Sequence, residues 1–152
     1  MNTSTNDAAD AINTMHQGNW AGELGLVVVS ATRDEVTATV EVRPTHRQPQ
    51  GIVHGGVYAG IIETLASIGG ALDAMTDGKN VVGLENHTSF VRAVREGTLH
   101  ATATPITRGR RTQLWEVAIR NDERSIVATG RVRLLVLAPD AQVAGSELAV
   151  TK

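Results

Sequence analysis

A single acidic residue within a long apolar segment is the first candidate for chemistry in this sequence. Between Val57 and Leu72, Glu63 is the only charged residue. Burying an unpaired carboxylate costs several kcal/mol and favours its protonation, so such a group needs a partner or a function. Two interpretations stay open on this evidence: a functional acid, or one half of an ion pair with an arginine.

A glycine pair precedes this segment and could act together with the acid. Gly55 and Gly56 lie where a helix would begin, and the backbone N–H groups of a helix start are unpaired and lie at the positive end of the helix dipole. Such groups can stabilise an oxyanion, and glycine lets a carbonyl group approach the backbone closely. An ordinary helix-start glycine is the alternative.

The run from Val57 to Met75 contains no proline and predicts one long helix. At 100° per residue, small residues form the side of this helix that carries Glu63. They are Gly56, Ala59, Gly60, Ser67 and Gly70. Small residues permit either close packing of a neighbouring element or an open cleft beside the acid.

Six segments with strand patterns flank the predicted helix. Two precede it, at 24–30 and 35–42, and four follow, at 80–91, 98–107, 112–120 and 125–137. Apolar runs or alternating residues bounded by turn residues are typical of strands. Two strands, one helix and four strands with tight turns predict an α+β fold, in which one helix packs on an antiparallel sheet.

Length and composition limit the classes of function. The 152 residues suit one domain and carry a net charge of −2, which provides no overall field for binding nucleic acid or anionic membrane. The chain has no cysteine, which excludes disulfides, thiolate metal ligands and a cysteine nucleophile. Neither a secretory signal pattern nor a run of eighteen apolar residues is present, so a cytoplasmic protein is predicted.

The polar composition of both ends predicts three segments. We expect a flexible N-terminal segment at 1–20 that can hold a short helix between Ala11 and Trp20. The domain itself would occupy 21–138, and 139–152 would form a flexible tail.

Other catalytic patterns are not matched. The residues His46, His54, His87 and His100 show no metal-ligand spacing, so no metal is expected. We expect His54 instead to orient the loop before the helix through a hydrogen bond. The Gly-x-Ser-x-Gly pattern of serine hydrolases is absent.

Three ordered motifs resemble a known family. His54-Gly55-Gly56, Tyr58 and Glu63-Thr64-Leu65-Ala66-Ser67 resemble the active-site helix of hotdog-fold thioesterases. The segment Asn86–Arg92 with Glu96-Gly97 resembles the strand after it, and Arg47-Gln48 has the family spacing before the helix. The similarity covers about Leu24 to Leu137 and is strongest to the 4-hydroxybenzoyl-CoA (Arthrobacter type) and phenylacetate-pathway thioesterases.

This resemblance implies an acyl-CoA thioesterase with a six-stranded sheet wrapped around a central helix. Glu63 would act as nucleophile or as base for water, and the Gly55 N–H would be the oxyanion donor. Gln48 would orient the thioester carbonyl or the water, and Ser67 would place a hydroxyl beside the acid. The implied catalytic set is Glu63, Gly55, Gln48, Ser67 and His54, with no cofactor and an acyl group that is expected to be aromatic.

The residues and the resemblance together predict a substrate-binding set, and the resemblance implies a quaternary structure. The set is Tyr58, Gly56, Asn86, His87, Thr88, Arg92, Arg108, Arg110 and Arg111. Its three arginines depart from the neutral turn of the nearest relatives but suit coenzyme A phosphates, because guanidinium groups bind phosphate in a bidentate manner; a solvated turn is the alternative. Family members are dimers of dimers with shared sites, which implies a homotetramer. A hydratase or dehydratase of the same fold, or a non-catalytic acyl-CoA-binding module, remain alternatives.

Overall fold

The computed structural model describes residues 7–148. Its elements, in chain order, are the helices α1 (Ala9–Met15) and α2 (Trp20–Glu23), the strands β1 (Leu26–Ala31) and β2 (Val36–Glu41), the helix α3 (Gly55–Ala74), the strands β3 (Asn80–Phe90), β4 (Thr98–Arg108), β5 (Thr112–Arg120) and β6 (Ile126–Leu137), and a hairpin of β7 (Gln142–Val143) and β8 (Ser146–Glu147). Short 3-10 helices at Pro44–His46 and Met75–Asp77 lie before and after α3.

The six long strands form one antiparallel sheet in the order β1-β2-β4-β5-β6-β3. The hotdog arrangement, an α+β fold with one long helix against a six-stranded antiparallel sheet, is therefore confirmed. After leaving α3, the chain adds β3 beyond β6, so β3 becomes an edge strand. All residues from Gly83 to His87 on this edge are exposed.

The inner side of α3 supplies the centre of the core. Ile61, Ile62 and Leu65 are completely buried against sheet residues such as Trp115 and Val132. Burying each such side chain contributes about 1.5–3 kcal/mol before the entropy of ordering it is subtracted. The helix is long and apolar enough to cross a membrane by length and composition, but here it is the core helix of the sheet.

Two glycines of the small-residue side of α3 serve close packing. The ring of Trp20 covers Gly60, and the side chain of Leu134 covers Gly70, in each case at the place where a Cβ atom would stand. The sequence left packing and an open cleft as equal alternatives for this side. The structure assigns these two positions to packing, so any opening beside Glu63 must lie elsewhere.

The structure describes part of each predicted end segment. Residues 1–6 and 149–152 lie outside the described part, whereas α1 begins at Ala9 and docks on β1. There the amide of Asn13 forms two hydrogen bonds of 2.8 Å with the backbone of Val28. The division into 1–20, 21–138 and 139–152 stays a prediction.

Candidate active site

The start of α3 is set by His54, which is its N-cap residue. The Nδ1 atom of His54 accepts the Gly56 N–H at 2.8 Å, and the His54 carbonyl accepts the Val57 N–H at 2.9 Å. This cap lets the helix begin at Gly55, two residues before the start predicted from apolar periodicity. Within residues 7–148, the Gly55 N–H has no hydrogen-bond partner. A free N–H at a helix start is suited to binding a developing negative charge.

A groove of about 620 Å³ opens at this helix start. Six of the predicted site residues line it: Gln48, His54, Gly55, Gly56, Tyr58 and Arg92. The sequence missed the apolar part of its wall, which consists of Pro49, Ile52, Val53, Phe90, Val91 and Ala93. Two adjacent large apolar residues at the end of a strand were the available signal, since Phe90 and Val91 are 62% and 58% exposed.

The ring of Phe90 lies directly against the backbone of Gly55. A Cβ atom on Gly55 would stand 2.6 Å from Phe90 Cζ, a distance that real Cβ atoms do not show. The same ring lies 6.2 Å from the ring of Tyr58, in a tilted arrangement. A larger residue at position 55 would therefore displace the Phe90 ring from this part of the groove wall.

Tyr58 forms part of the groove wall and is almost completely buried, with 3% exposure. Its hydroxyl is buried and has no hydrogen-bond partner in the described part of the chain. Burial raises the pKa of the Tyr58 hydroxyl above its ordinary value, so it stays protonated at neutral pH. Tyr58 thus provides a neutral, unused hydrogen-bonding group.

The carboxylate of Glu63 lies in the middle of α3 and faces β3. Asn86 Nδ2 donates to Glu63 Oε2 at 3.2 Å and to the Ala59 carbonyl at 3.0 Å. Thr88 Oγ1 donates to Asn86 Oδ1 at 2.7 Å, which fixes the orientation of the amide. Gly83 provides the space for the carboxylate, which occupies the place of a Cβ atom there. No cation among residues 7–148 forms an ion pair with Glu63. The alternative in which Glu63 pairs with an arginine therefore has no support from the described residues of one chain.

The predicted catalytic residues of one chain fall into two groups that do not meet. Glu63 follows Gly55 by eight residues, which corresponds to about 12 Å along the helix axis. The acid and its partner Asn86 are not among the groove residues. Ser67 lies one turn beyond Glu63 on the same side of α3, and His87 points to the other face of β3 from Asn86.

The arginine turn between β4 and β5 lies near the C-terminal end of α3. Arg108 donates to Asp34 Oδ1 at 2.8 Å and lies 3.5 Å from Asp73 Oδ1. Asp73 also binds Arg33 at 2.8 Å. Arg108 is thus engaged in a network within the chain. Arg110 and Arg111 are exposed and form no ion pair within the described residues.

The loop before α3 depends on a buried histidine. His46 is 4% exposed, its Nδ1 accepts the Arg43 N–H at 3.1 Å, and its carbonyl accepts the His54 N–H at 2.9 Å. Burial, and then the charge of Arg43, lower the pKa of His46 below its ordinary value. Protonation would break the Arg43 bond and place a charge in a buried position.

We therefore expect the stability of the protein to depend on this histidine below neutral pH. A histidine whose pKa is lowered by folding takes up its proton more readily in the unfolded state. Acid therefore favours unfolding: the free energy of unfolding should be at its full value above about pH 6.5 and should decline as the pH falls. Thermal unfolding from pH 7.5 to 5 should show this decline, and His46→Gln should reduce the slope. Part of the slope should remain, because burial also lowers the pKa of His16. An unchanged slope in the variant would contradict the assignment.

Comparison with known proteins gives a consistent match. A model of the thioesterase superfamily matches residues 50–128, which include α3 and β3. A Mycobacterium tuberculosis protein named as an esterase is 45% identical over 114 residues, or 74% of this chain and 81% of that protein. The 1,4-dihydroxy-2-naphthoyl-CoA hydrolase of Escherichia coli is 32% identical over 129 residues, or 84% and 93% of the two chains. The crystal structure of a Haemophilus influenzae thioesterase has a TM-score of 0.82 and 33% identity, covering 88% of this chain and 92% of that one.

Proposed function

This chain belongs to the thioesterase superfamily, and on that premise we propose that it hydrolyses an acyl-coenzyme A thioester to a free acid and coenzyme A. Thioester hydrolysis is its class of reaction. The name of the Escherichia coli relative, a CoA-thioester hydrolase, supports coenzyme A as the leaving group. We propose an aromatic acyl group, such as hydroxybenzoyl or phenylacetyl, because Phe90 and Tyr58 provide an aromatic wall to the groove.

The observation that carries this proposal is the environment of Glu63. Its carboxylate is held by the neutral amide of Asn86 rather than by a cation, so its charge is not neutralised and its other lone pairs remain available. Such a group can attack the thioester carbon directly or remove a proton from an attacking water. In the direct route a Glu63–acyl anhydride forms as the C–S bond breaks, and water then hydrolyses this anhydride to the free acid and restores the carboxylate. In the water route the attacking water becomes the hydroxyl of the free acid, and the proton that Glu63 removed can pass to the sulfur as the C–S bond breaks. In both routes the sulfur leaves as the thiol of coenzyme A after taking up a proton.

The N-terminus of α3 would stabilise the other reacting atom. When the thioester carbonyl is attacked, its oxygen becomes negatively charged, and the free Gly55 N–H at the positive end of α3 can donate to it. Gln48 lines the same groove and would orient the carbonyl or the water. His54 would maintain this geometry by capping Gly56. Ser67 would place a hydroxyl one turn beyond the acid.

The separation of these two groups supports a site that is shared between subunits. Glu63 of one chain cannot reach the groove of the same chain if about 12 Å of helix lies between them. The exposed edge of β3, which carries Asn86 and Gly83 beside Glu63, also requires a partner, because an unpaired edge of eleven residues promotes association. We propose a homo-oligomer, specifically a tetramer built as a dimer of dimers.

Further parts of the proposal concern cofactor and location. Thioester hydrolysis is not a redox reaction, and a carboxylate with an oxyanion donor can perform it, so we propose that no metal or cofactor takes part. We also propose that the protein is cytoplasmic and binds neither nucleic acid nor membrane, since its net charge of −2 provides no overall attraction to either.

A panel of acyl-CoA thioesters, assayed with a reagent that detects the released thiol, tests this function. We expect hydrolysis of at least one aromatic acyl-CoA, and release that is slower by about 10³-fold from the same substrate with the Glu63→Gln variant. A non-catalytic module would bind acyl-CoA without releasing thiol. A hydratase would change the absorbance of an enoyl-CoA without releasing thiol, and it would need a histidine paired with an acid, which α3 lacks beyond His54.

The arginine turn allows a prediction that separates binding from stability. We expect Arg110→Ala with Arg111→Ala to raise KM for acyl-CoA with little change in kcat, because phosphates far from the reacting carbon contribute uniform binding. Arg108→Ala should instead lower the free energy of unfolding by about 1 kcal/mol, since it breaks contacts with Asp34 and Asp73. Acyl-pantetheine, which lacks the nucleotide, is the control substrate. An equal KM increase for both substrates would contradict phosphate binding.

A further inference from the structure

A buried polar group remains without a partner in the groove described above. Tyr58 is 3% exposed and lines the groove, and its hydroxyl has no hydrogen-bond partner within residues 7–148. Most buried polar groups of folded proteins are paired, because leaving one unpaired destabilises the fold. An exception at the wall of a ligand groove indicates that the missing partner belongs to the ligand.

The location of Tyr58 indicates which part of the ligand would supply that partner. Tyr58 follows Gly55 by three residues and therefore lies on the same side of α3. Side chains on a helix lean toward its N-terminus, so the Tyr58 ring leans toward the residue whose N–H would bind the carbonyl oxygen. The buried position suits the enclosed acyl group better than the hydrophilic arm of coenzyme A, which extends into solvent.

We propose that Tyr58 determines acyl specificity by forming a hydrogen bond between its hydroxyl and a polar substituent of the acyl group. This rests on the thioesterase function proposed above. A phenolic O–H donates one hydrogen bond and also accepts, so a hydroxyl or carbonyl substituent suits it equally. Because the hydroxyl is buried in the free protein, binding requires a local rearrangement of the groove wall, to which the exposed ring of Phe90 belongs.

Substrates that differ only by a ring hydroxyl test this directly. We would measure kcat/KM for benzoyl-CoA and for 2-, 3- and 4-hydroxybenzoyl-CoA with the natural protein, Tyr58→Phe and Phe90→Leu. The natural protein should prefer at least one hydroxylated isomer over benzoyl-CoA by about tenfold or more, and Tyr58→Phe should remove most of that preference. The loss of kcat/KM in Tyr58→Phe should be much smaller for benzoyl-CoA, which lacks the ring hydroxyl, than for the preferred hydroxylated isomer.

Two controls separate this hydrogen bond from a general disturbance of the groove. Phe90→Leu alters the apolar wall without removing a hydroxyl, so it should affect benzoyl-CoA and hydroxybenzoyl-CoA equally. Tyr58→Phe should have a Tm equal to or above that of the natural protein, because it removes an unpaired buried hydroxyl. A lower Tm would mean that the hydroxyl has a partner inside the protein and would overturn the proposal.

Other outcomes would overturn it as well. Equal losses for all four substrates in Tyr58→Phe, or no preference for any hydroxylated isomer, would show that the Tyr58 hydroxyl forms no hydrogen bond with a substituent of the acyl group. Weaker self-association with unchanged preference would assign the hydroxyl to the subunit interface. If the natural protein hydrolyses none of the substrates, the proposed function fails. Calorimetric binding of the same four thioesters to both proteins would then decide the role of Tyr58 independently, with the same preference expected in Kd.

Discussion

Glu63→Gln is expected to reduce kcat for acyl-CoA hydrolysis by about 10³-fold, within the 10²–10⁴ range typical of a catalytic base. The substitution keeps the shape of the side chain, and the amide oxygen can still accept the hydrogen bond from Asn86. It removes the ability to attack carbon or to accept a proton. Because no cation in the described chain loses a counter-ion, the Tm should be unchanged or slightly higher. Measuring kcat, KM and Tm on the same preparation of the variant checks this prediction.

The other acid of α3 is a matched control. Asp73 binds Arg33 and Arg108 and accepts a hydrogen bond of 3.0 Å from the buried Gln113. Asp73→Asn should therefore lower the free energy of unfolding by about 1–3 kcal/mol while kcat stays near normal. Glu63→Gln and Asp73→Asn should thus show opposite patterns. A Glu63→Gln variant with reduced Tm and near-normal kcat would contradict the catalytic assignment.

Two inactive variants are expected to restore each other when they assemble together. If a site takes Glu63 from one chain and Gln48 from another, a mixed dimer of Glu63→Gln and Gln48→Ala contains one intact site and one doubly altered site. With random pairing, about a quarter of all sites are intact, so the mixture should recover about a quarter of natural activity. Gln48→Ala alone should lose about 100-fold, by analogy with removal of one group that stabilises the developing oxyanion.

Co-expression of the two variants with different affinity tags, followed by two-step purification, provides the mixed species. A purified mixed dimer, with one of its two sites intact, should recover about half of natural activity rather than the quarter expected for the unpurified mixture. The doubly altered chain, Glu63→Gln with Gln48→Ala, co-expressed with either single variant is the control and should remain inactive. A site formed within one chain predicts no recovery in any mixture. A protein that is monomeric at assay concentration, yet active, would also contradict the shared site.

The local elements of this fold were predictable because they depend on short-range patterns. Alternation of side chains in Val36 to Val42 and the proline-free apolar run after Val57 indicate strand and helix through geometry that repeats every two or 3.6 residues. Glu63 could be selected as the candidate acid from the same apolar run, since it is the single charge there. The helix start differed by two residues because the cap from His54 to Gly56 depends on side-chain geometry that apolar periodicity does not contain.

Contacts between distant segments could be known only from the tertiary structure. The pairing of β3 with β6 makes β3 an edge strand and places Asn86 against Glu63, which are 23 residues apart in the chain. It also places Phe90 on Gly55, which defines the groove wall. The engagement of Arg108 by Asp34 and Asp73 has the same origin.

By itself, the sequence determined the order and type of the main elements and the α+β class, and it singled out Glu63 as the candidate acid, because these follow from residue types and short-range spacing. The tertiary structure decided the neutral partner of the acid, the separation of Glu63 from the groove within one chain, and the unpaired hydroxyl of Tyr58. These features depend on which strand lies beside which and on how side chains from distant segments fill the space between them. That arrangement is set by packing and hydrogen bonding over the whole domain, and no local pattern contains it.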